Sequence, residues 1–402
     1  MITGSLLRRS SSSAAHTTPQ PVPRNVKFEE EELPDYKPEH FYPVSLGDVF
    51  ESKYQVVAKL GFGVGSSVWL CRDLGSGNYL ALKICTCAQE PGVTAQSANE
   101  LAVAKRIQKV SSGEHPGGRY LRPPIVDFMI HGPHGEHRCL LYTPQGMDFT
   151  KFRGLLPDCR LGKALLQQTY QLVLIGLDLL HQVGVVHTDI SPNNILLGAK
   201  DHSVFRAIEQ SESEHPSTCK ILEDRTIYRS QSMPITDGAP VLCDFGRARI
   251  GRGAKHRGDV MPGFYRAPEV ILEMEWDCKI DIWSIGVMVW DLFEGGRLFY
   301  ALNNRILDDE QHLAEMVGLM GSPPQSFLER SQKCRKYWNA QGQWIAATPI
   351  PKQSLDKREL HLEGEDHELL LDFLRKIFRW LPEERASAQE LMPHPFLVQP
   401  YE

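Results

Sequence analysis

No two of the nine cysteines form a Cys-x-x-Cys pair, and their odd number is scattered from Cys71 to Cys334. That speaks against a zinc site and suits reduced thiols in an intracellular compartment, while the length of 402 residues rules out a disulfide-stapled miniature. Long apolar runs are missing too. The two most apolar stretches, Leu172 to Leu180 and Ile282 to Phe293, are interrupted by Asp178 and Asp291 and fall short of the roughly 18 residues a membrane-spanning helix needs. Net charge is small: 44 Lys and Arg against 50 Asp and Glu leave −6, which gives no general attraction to nucleic acid or membrane. No internal repeat is present. What remains is 402 residues, 42% apolar and 23% charged, the composition of a globular protein of roughly two to three folded units.

Acidic residues are absent from positions 1 to 28, which carry Arg8, Arg9, Arg24 and Lys27 among many Ser, Thr and Pro. Two readings follow. Such a leader cannot bury enough apolar surface to fold; alternatively it is a mitochondrial presequence, with Leu6-Leu7-Arg8-Arg9 starting an amphipathic turn. Glu29 to Glu32 and Pro34 end it either way, so residues 1–40 read as a disordered or targeting leader, and 399–402 as a tail.

From Tyr54 the pattern changes to short β-branched and aromatic runs, Tyr54 to Leu60, Ser67 to Arg72 and Tyr79 to Ile84, with Gly75-Ser-Gly-Asn78 as the last turn. That is an antiparallel meander. Between its first two strands lies Gly61-Phe-Gly63-Val-Gly65-Ser66-Ser67-Val68, where glycines let a hairpin lie flat over a ligand and offer N–H groups to phosphates; taken alone it is equally a flexible hairpin tip. Helical periodicity follows over Ala95 to Val110, with Glu100 near its start, and over Lys163 to Val183. Further helices are expected at Ile280 to Phe293, Asp309 to Leu319, His367 to Phe378 and Ala388 to Met392. A β-rich front joins a helix-rich back.

Five separated motifs stand in one order: the Gly-rich hairpin, Ala81-Leu-Lys83-Ile, His187-Thr-Asp189-Ile-Ser-Pro-Asn-Asn194, Asp244-Phe-Gly246 and Ala267-Pro-Glu269. Together they resemble the protein-kinase signature set, over about residues 41–398. Phe41-Tyr-Pro-Val44, Gly47-Asp48, Val68-Trp-Leu70, Tyr265-Arg-Ala-Pro-Glu269 and Asp281-Ile-Trp-Ser284 bring the resemblance closer to the SR-protein kinase family of the CMGC group, in its shorter fungal-type form. The resemblance implies an α+β, bilobal protein-kinase fold. A small antiparallel β-sheet N-lobe with one helix would occupy 41–145, and a larger, mainly helical C-lobe 146–398, with an insertion at 199–240. It also implies an ATP-dependent serine/threonine protein kinase that uses ATP and Mg2+ and acts on protein substrates rich in Arg and Ser. No nucleic-acid or membrane partner is expected, and the chain would be a monomer, cytoplasmic or nuclear, or mitochondrial if the basic N-terminus is a presequence.

Phosphoryl transfer passes through a loose transition state, so the protein mostly positions groups and neutralises charge. On the resemblance, Lys83 clamps the α- and β-phosphates and is held by Glu100, while Asp189 accepts a hydrogen bond from the substrate hydroxyl. Asn194 and Asp244 share magnesium, a hard cation that wants oxygen ligands. Leu60, Gly61, Gly63, Gly65 and Ser66 would cover the nucleotide. Val68, Ala81 and Leu196 form an apolar slot for adenine, or are ordinary core. Tyr142 guards the back of the slot, and the Thr143 carbonyl and Gln145 N–H meet the base, Pro144 removing only the donor between them. Glu269 would pair with Arg385, and Asp281 would anchor the catalytic-loop backbone.

The sequence departs from the family pattern at several places. Ser66 stands for the third glycine of the hairpin. Ser191 stands where many kinases carry a lysine that contacts the γ-phosphate, and this keeps a second reading open, a pseudokinase scaffold or binding module without turnover. Thr188 replaces the arginine that holds a phosphorylated activation loop, and Arg247 to Phe264 contains no Ser, Thr or Tyr. Activity is therefore expected not to require phosphorylation of this segment. It carries five basic residues, Arg247, Arg249, Arg252, Lys255 and Arg257, against Asp259 alone, either a solvated face or a site for acidic or phosphorylated substrate. Asp308, Asp309 and Glu310 fall where the family places part of an acidic groove for arginines. The stretch between Leu197 and Val241 reads as a surface insertion, or as a partner-binding or localisation segment.

Overall fold

Burial alternates over Tyr54 to Ala58, the first half of the strand Tyr54–Gly63 that leads into the Gly-rich hairpin. In the computed structural model, which describes residues 21–87, 91–110 and 115–400, strands β1 (Val49–Phe50), β2 (Tyr54–Gly63), β3 (Ser66–Asp73), β4 (Tyr79–Cys85), β5 (Val126–Gly132) and β6 (Gly135–Tyr142) form one antiparallel sheet. Their order is β1-β2-β3-β4-β6-β5. Side chains alternate across the pleat. One face buries Val56, Trp69, Leu82, Ile84 and Leu141, while Ala81, Leu140 and Tyr142 face the other way, toward helix α1 (Pro91–Val110). The meander of three strands is seen as expected. β1, β5 and β6 had no strong pattern to show them, β1 being two residues long and β5 exposed or half-buried throughout.

The second part is built from helices α2 (Phe149–Gly154), α3 (Lys163–Gln182), α5 (Pro268–Ile271), α6 (Lys279–Glu294) and α7 (Asp309–Met320), with Gly364–Ile377 behind them. Helix α6 is buried without a break from Ile280 to Phe293, as a helix apolar on all sides must be. Gly295, at φ 71°, ends it in the left-handed conformation that caps helices. Against α3 and α6 lie two short antiparallel pairs, β7 (Val185–Val186) with β12 (Arg249–Ile250), and β8 (Ile195–Gly198) with β11 (Gly238–Leu242). The loop between β7 and β8 carries Asp189 and Asn194.

The chain leaves β8 and returns on β11 through a crossing where Gly198 and Gly238 oppose each other. A Cβ on Gly198 would lie 2.3 Å from the Ala239 carbonyl oxygen, so only glycine fits. The insertion between them is folded and holds α4 (Ser203–Glu214), β9 (Cys219–Ile221) and β10 (Thr226–Tyr228). It packs on the small sheet. Phe205, fully buried, sits with Ala58, Leu70 and Tyr79, Glu209 pairs with Arg72 at 3.1 Å, and Tyr228 meets Trp69 edge-on at 6.0 Å.

Residues 28–40 join this contact, which corrects the reading of 1–40 as a single disordered or targeting leader. Positions 1–20 lie outside the described residues. Phe28 and Glu30 are buried. Glu30 pairs with the fully buried Lys59, Glu31 pairs with Lys220 at 2.7 Å, and Arg225 donates to the carbonyl of Phe41 at 3.2 Å. A buried ammonium needs a carboxylate beside it, and the acidic run supplies Glu29 and Glu30 to Lys59.

Candidate active site

The loop after β7 is held from below by one carboxylate. Asp281, 1% exposed on α6, accepts from the backbone N–H groups of His187 at 2.8 Å and Thr188 at 2.9 Å, and from His181 at 2.9 Å. Thr188 adopts φ 69°, a strained conformation for a β-branched residue, and its hydroxyl donates to the Arg247 carbonyl at 2.9 Å. Asn194 closes the loop by donating its Nδ2 to the Asp189 carbonyl at 2.7 Å. That contact fixes the amide so that its oxygen remains available. The expected anchoring role of Asp281 is met directly.

On the other side, Lys83 of β4 pairs with Glu100 of α1 at 2.6 Å, and the Tyr142 hydroxyl donates to the second oxygen of Glu100. Burial alone would lower the Lys83 pKa, yet Glu100 and Asp244 outweigh it and hold the ammonium above its ordinary value. For Asp244, burial acts upward, but Lys83 and the Gly246 N–H prevail and hold the carboxyl below the usual carboxylate value. Asp189 goes the other way: burial raises its pKa, and His187 and Arg247 only partly offset that. Phe245, fully buried, packs edge-on against His187 at 5.4 Å, and Asn99 of α1 donates to the Ala248 carbonyl at 2.6 Å. Helix, catalytic loop and Asp244 are thus locked to one another.

Between the two parts is a cavity of about 360 Å³. Of the residues expected there, Leu60, Gly61, Gly63, Ser66, Val68, Ala81, Lys83, Glu100, Tyr142, Gln145, Asn194, Leu196 and Asp244 all line it. Gly65, Thr143 and Asp189 do not. The Gly65 carbonyl instead accepts from the Thr86 N–H at 2.9 Å and holds the hairpin to β4. Thr143 is exposed and its carbonyl, expected to meet adenine, accepts from Arg122 Nε at 2.8 Å. Asp189 opens instead on an adjoining pocket of similar size that shares Asn194 with the first.

Sequence reasoning missed Arg122 and Met233, both of which line the cavity. Arg122 lies over the Tyr142 ring at 4.7 Å, at the end of a Gly- and Pro-rich stretch with no period to announce it. Met233 arrives from the insertion, which runs so close to the segment joining the two parts that a Cβ on Gly146 would meet the Thr236 hydroxyl.

The residues present fit a nucleotide and a divalent cation. A Cβ on Gly61 or Gly63 would meet no protein atom within 4 Å, so the hairpin faces open space where phosphates would lie. Among the described residues no cluster of three His, Cys, Asp or Glu is arranged for a metal. Asp244 and the free amide oxygen of Asn194 on one cavity wall suit a cation that keeps waters and shares phosphate oxygens.

Comparison with known proteins agrees with this geometry. The protein kinase domain family matches residues 54–397. The chain belongs to the protein kinase family. This kinase is 41% identical over 380 residues to a serine/threonine protein kinase of Aspergillus fumigatus, covering 93% of this chain and 91% of that one. It is 32% identical to the serine/threonine-protein kinase SRPK of Physarum polycephalum, with 92% of each covered, and 27% identical to the dual specificity protein kinase CLK2 of Mus musculus, with 88% and 65% covered. In three dimensions the crystal structure of the PF14_0431 kinase domain superposes with a TM-score of 0.69 at 24% identity, covering 89% of this kinase and 99% of that chain, which shows the shared fold.

Proposed function

We propose that this kinase transfers the γ-phosphate of ATP to serine or threonine hydroxyls of proteins, with Mg2+ as the cation. The observation that carries this is the joining of Lys83 to Glu100 at 2.6 Å in the same cavity as Asp244 and Asn194, with Asp189 beside Asn194 at its edge. When bound, the cation would neutralise phosphate charge. The chain's own groups do the rest. Lys83, kept fully ammonium, holds phosphate oxygens. Asp189 aligns the substrate hydroxyl and accepts its proton; its raised pKa makes it a better base than an ordinary carboxylate.

Ser191 leaves the catalytic loop without the usual lysine, and Arg247 brings positive charge that acts on both Asp189 and Asp244. The serine/threonine acceptor is supported by the names of the relatives at 41% and 32% identity, and Arg- and Ser-rich substrates fit the SRPK relative at 32%. Labelled ATP offered with an Arg/Ser peptide provides the test. Transfer to serine should appear with magnesium, vanish in EDTA and return when magnesium is restored. Transfer indifferent to EDTA, or none with any cation, would contradict the reading.

A further inference from the structure

The acids expected to receive substrate arginines are already engaged. Asp308 caps α7 by accepting from the Gln311 N–H at 2.7 Å. Asp309 pairs with Arg266 at 2.7 Å and Lys333 at 3.4 Å, and Glu310 accepts from the Thr348 N–H at 2.7 Å. Positive charge outside any ion pair lies nearer the chemistry. The pocket onto which Asp189 opens is walled by Arg153, in the last turn of α2, and by Arg297, just past the end of α6.

Among the described residues neither arginine is in an ion pair. The Arg297 guanidinium rests on the Phe264 ring, 3.6 Å from its centre, which fixes its direction without spending its donors. Arg153 Nη1 reaches only a backbone carbonyl, that of Asp291, at 3.4 Å. One carboxylate other than Asp189 lines this pocket, that of Asp291. It is buried and already accepts from the Leu298 N–H at 2.8 Å and the Tyr265 hydroxyl at 3.2 Å, and burial pushes its pKa up to about 6 although the charges of Arg297 and Arg153 act against that rise without an ion pair to either. The two guanidiniums therefore face the pocket with most of their donors free.

We propose that this pocket binds an anionic side chain of the protein substrate, a carboxylate or a phosphoserine close to the acceptor serine, with Arg153 and Arg297 as its donors. The inference rests on the phosphotransfer reading above and narrows its substrate class. Guanidinium forks match the planar carboxylate and the phosphate alike, whereas a substrate arginine entering here would meet like charge. Arginines of an Arg/Ser-rich substrate must then lie elsewhere along the groove.

The test uses the full chain and a peptide set in which one acceptor serine is kept and Asp, phosphoserine, Ala or Arg is placed at each flanking position in turn. Labelled peptide binding and phosphate transfer are both measured. At one position Asp or phosphoserine should bind tighter than Ala, with a gain of about tenfold in kcat/KM, the worth of one charge-assisted hydrogen bond; comparing the Asp and phosphoserine arms tells which anion is taken. In R153E/R297E the order should invert, so that the Arg peptide becomes the favoured one, a gain that an unfolded variant could not show. R153K/R297K should keep part of the anion preference. A wild type that transfers phosphate but ranks Ala or Arg peptides equal to or above the anionic ones would overturn the pocket and leave the kinase reading standing. Tighter binding of anionic peptides without any transfer would sustain the pocket and contradict phosphotransfer.

Discussion

Asp291 illustrates what the interior does to a single side chain. Its folded-state pKa of about 6 stands above the ordinary 3.8 because burial disfavours the charge more than its two donors and the charges of Arg297 and Arg153 favour it. The sign follows from linkage: ionisation costs the fold stability, the cost is absent below the ordinary value, grows as pH rises, and is complete above about 6. Asn at this position cannot ionise. D291N should therefore gain up to about 3 kcal/mol on the wild type between acid and neutral pH, read from urea midpoints at the two pH values. A difference that does not change with pH would contradict the assignment. At the same scale, Lys83, Asn194 and Asp244 were legible in the sequence because each sits in a short motif with fixed spacing, and Glu100 because it stands near the start of a periodic helix that the family resemblance pairs with Lys83. Arg122 was not, since one arginine in an irregular stretch carries no pattern and its place behind Tyr142 depends on how three strands converge. The contact between the Thr143 carbonyl and Arg122 was equally illegible, because a motif tells which residue lies at a position and not what its carbonyl meets.

Among the elements, two contacts carry measurable consequences. Glu269, at the start of α5, and Arg385 form a fully buried bidentate pair at 2.6 and 2.7 Å. Removing one partner strands the other charge, so R385M should lose roughly 3–5 kcal/mol of stability, seen as a lower denaturant midpoint. Loss below about 1 kcal/mol would mean that water or another group compensates. The second contact belongs to α4. If the insertion were a mere surface loop, its side chains would be dispensable; Phe205 is instead fully buried against Ala58, Leu70 and Tyr79. F205A should cost about 3–5 kcal/mol, and a thermal unfolding curve unchanged from the wild type would show that the insertion does not brace the sheet. Long helices such as α3 and α6 could be read from periodicity to within a residue or two. The partnership of Glu29, Glu30 and Glu31 with Lys59 and Lys220 could not, because it joins segments about 30 and 190 positions apart and only folding brings their charges together.

For the whole molecule, two parts of different architecture meet at one cleft, and the meeting is what makes chemistry available. The sheet contributes Lys83 and the open hairpin, α1 contributes Glu100, and the helical part contributes Asp189, Asn194 and Asp244. The insertion and residues 28–40 brace the sheet, Phe205 packing on the face that also carries Val68 and Ala81 and Tyr228 meeting Trp69 on the other. The most direct test of this convergence is D189N, measured for Mg-ATP affinity by calorimetry and for phosphate transfer to an Arg/Ser peptide in the same preparation. Asp189 lies outside the nucleotide cavity, so affinity should match the wild type while transfer falls by about 10²–10⁴-fold. Transfer at the wild-type rate, or the absence of Mg-ATP binding heat in the wild type itself, would contradict the account.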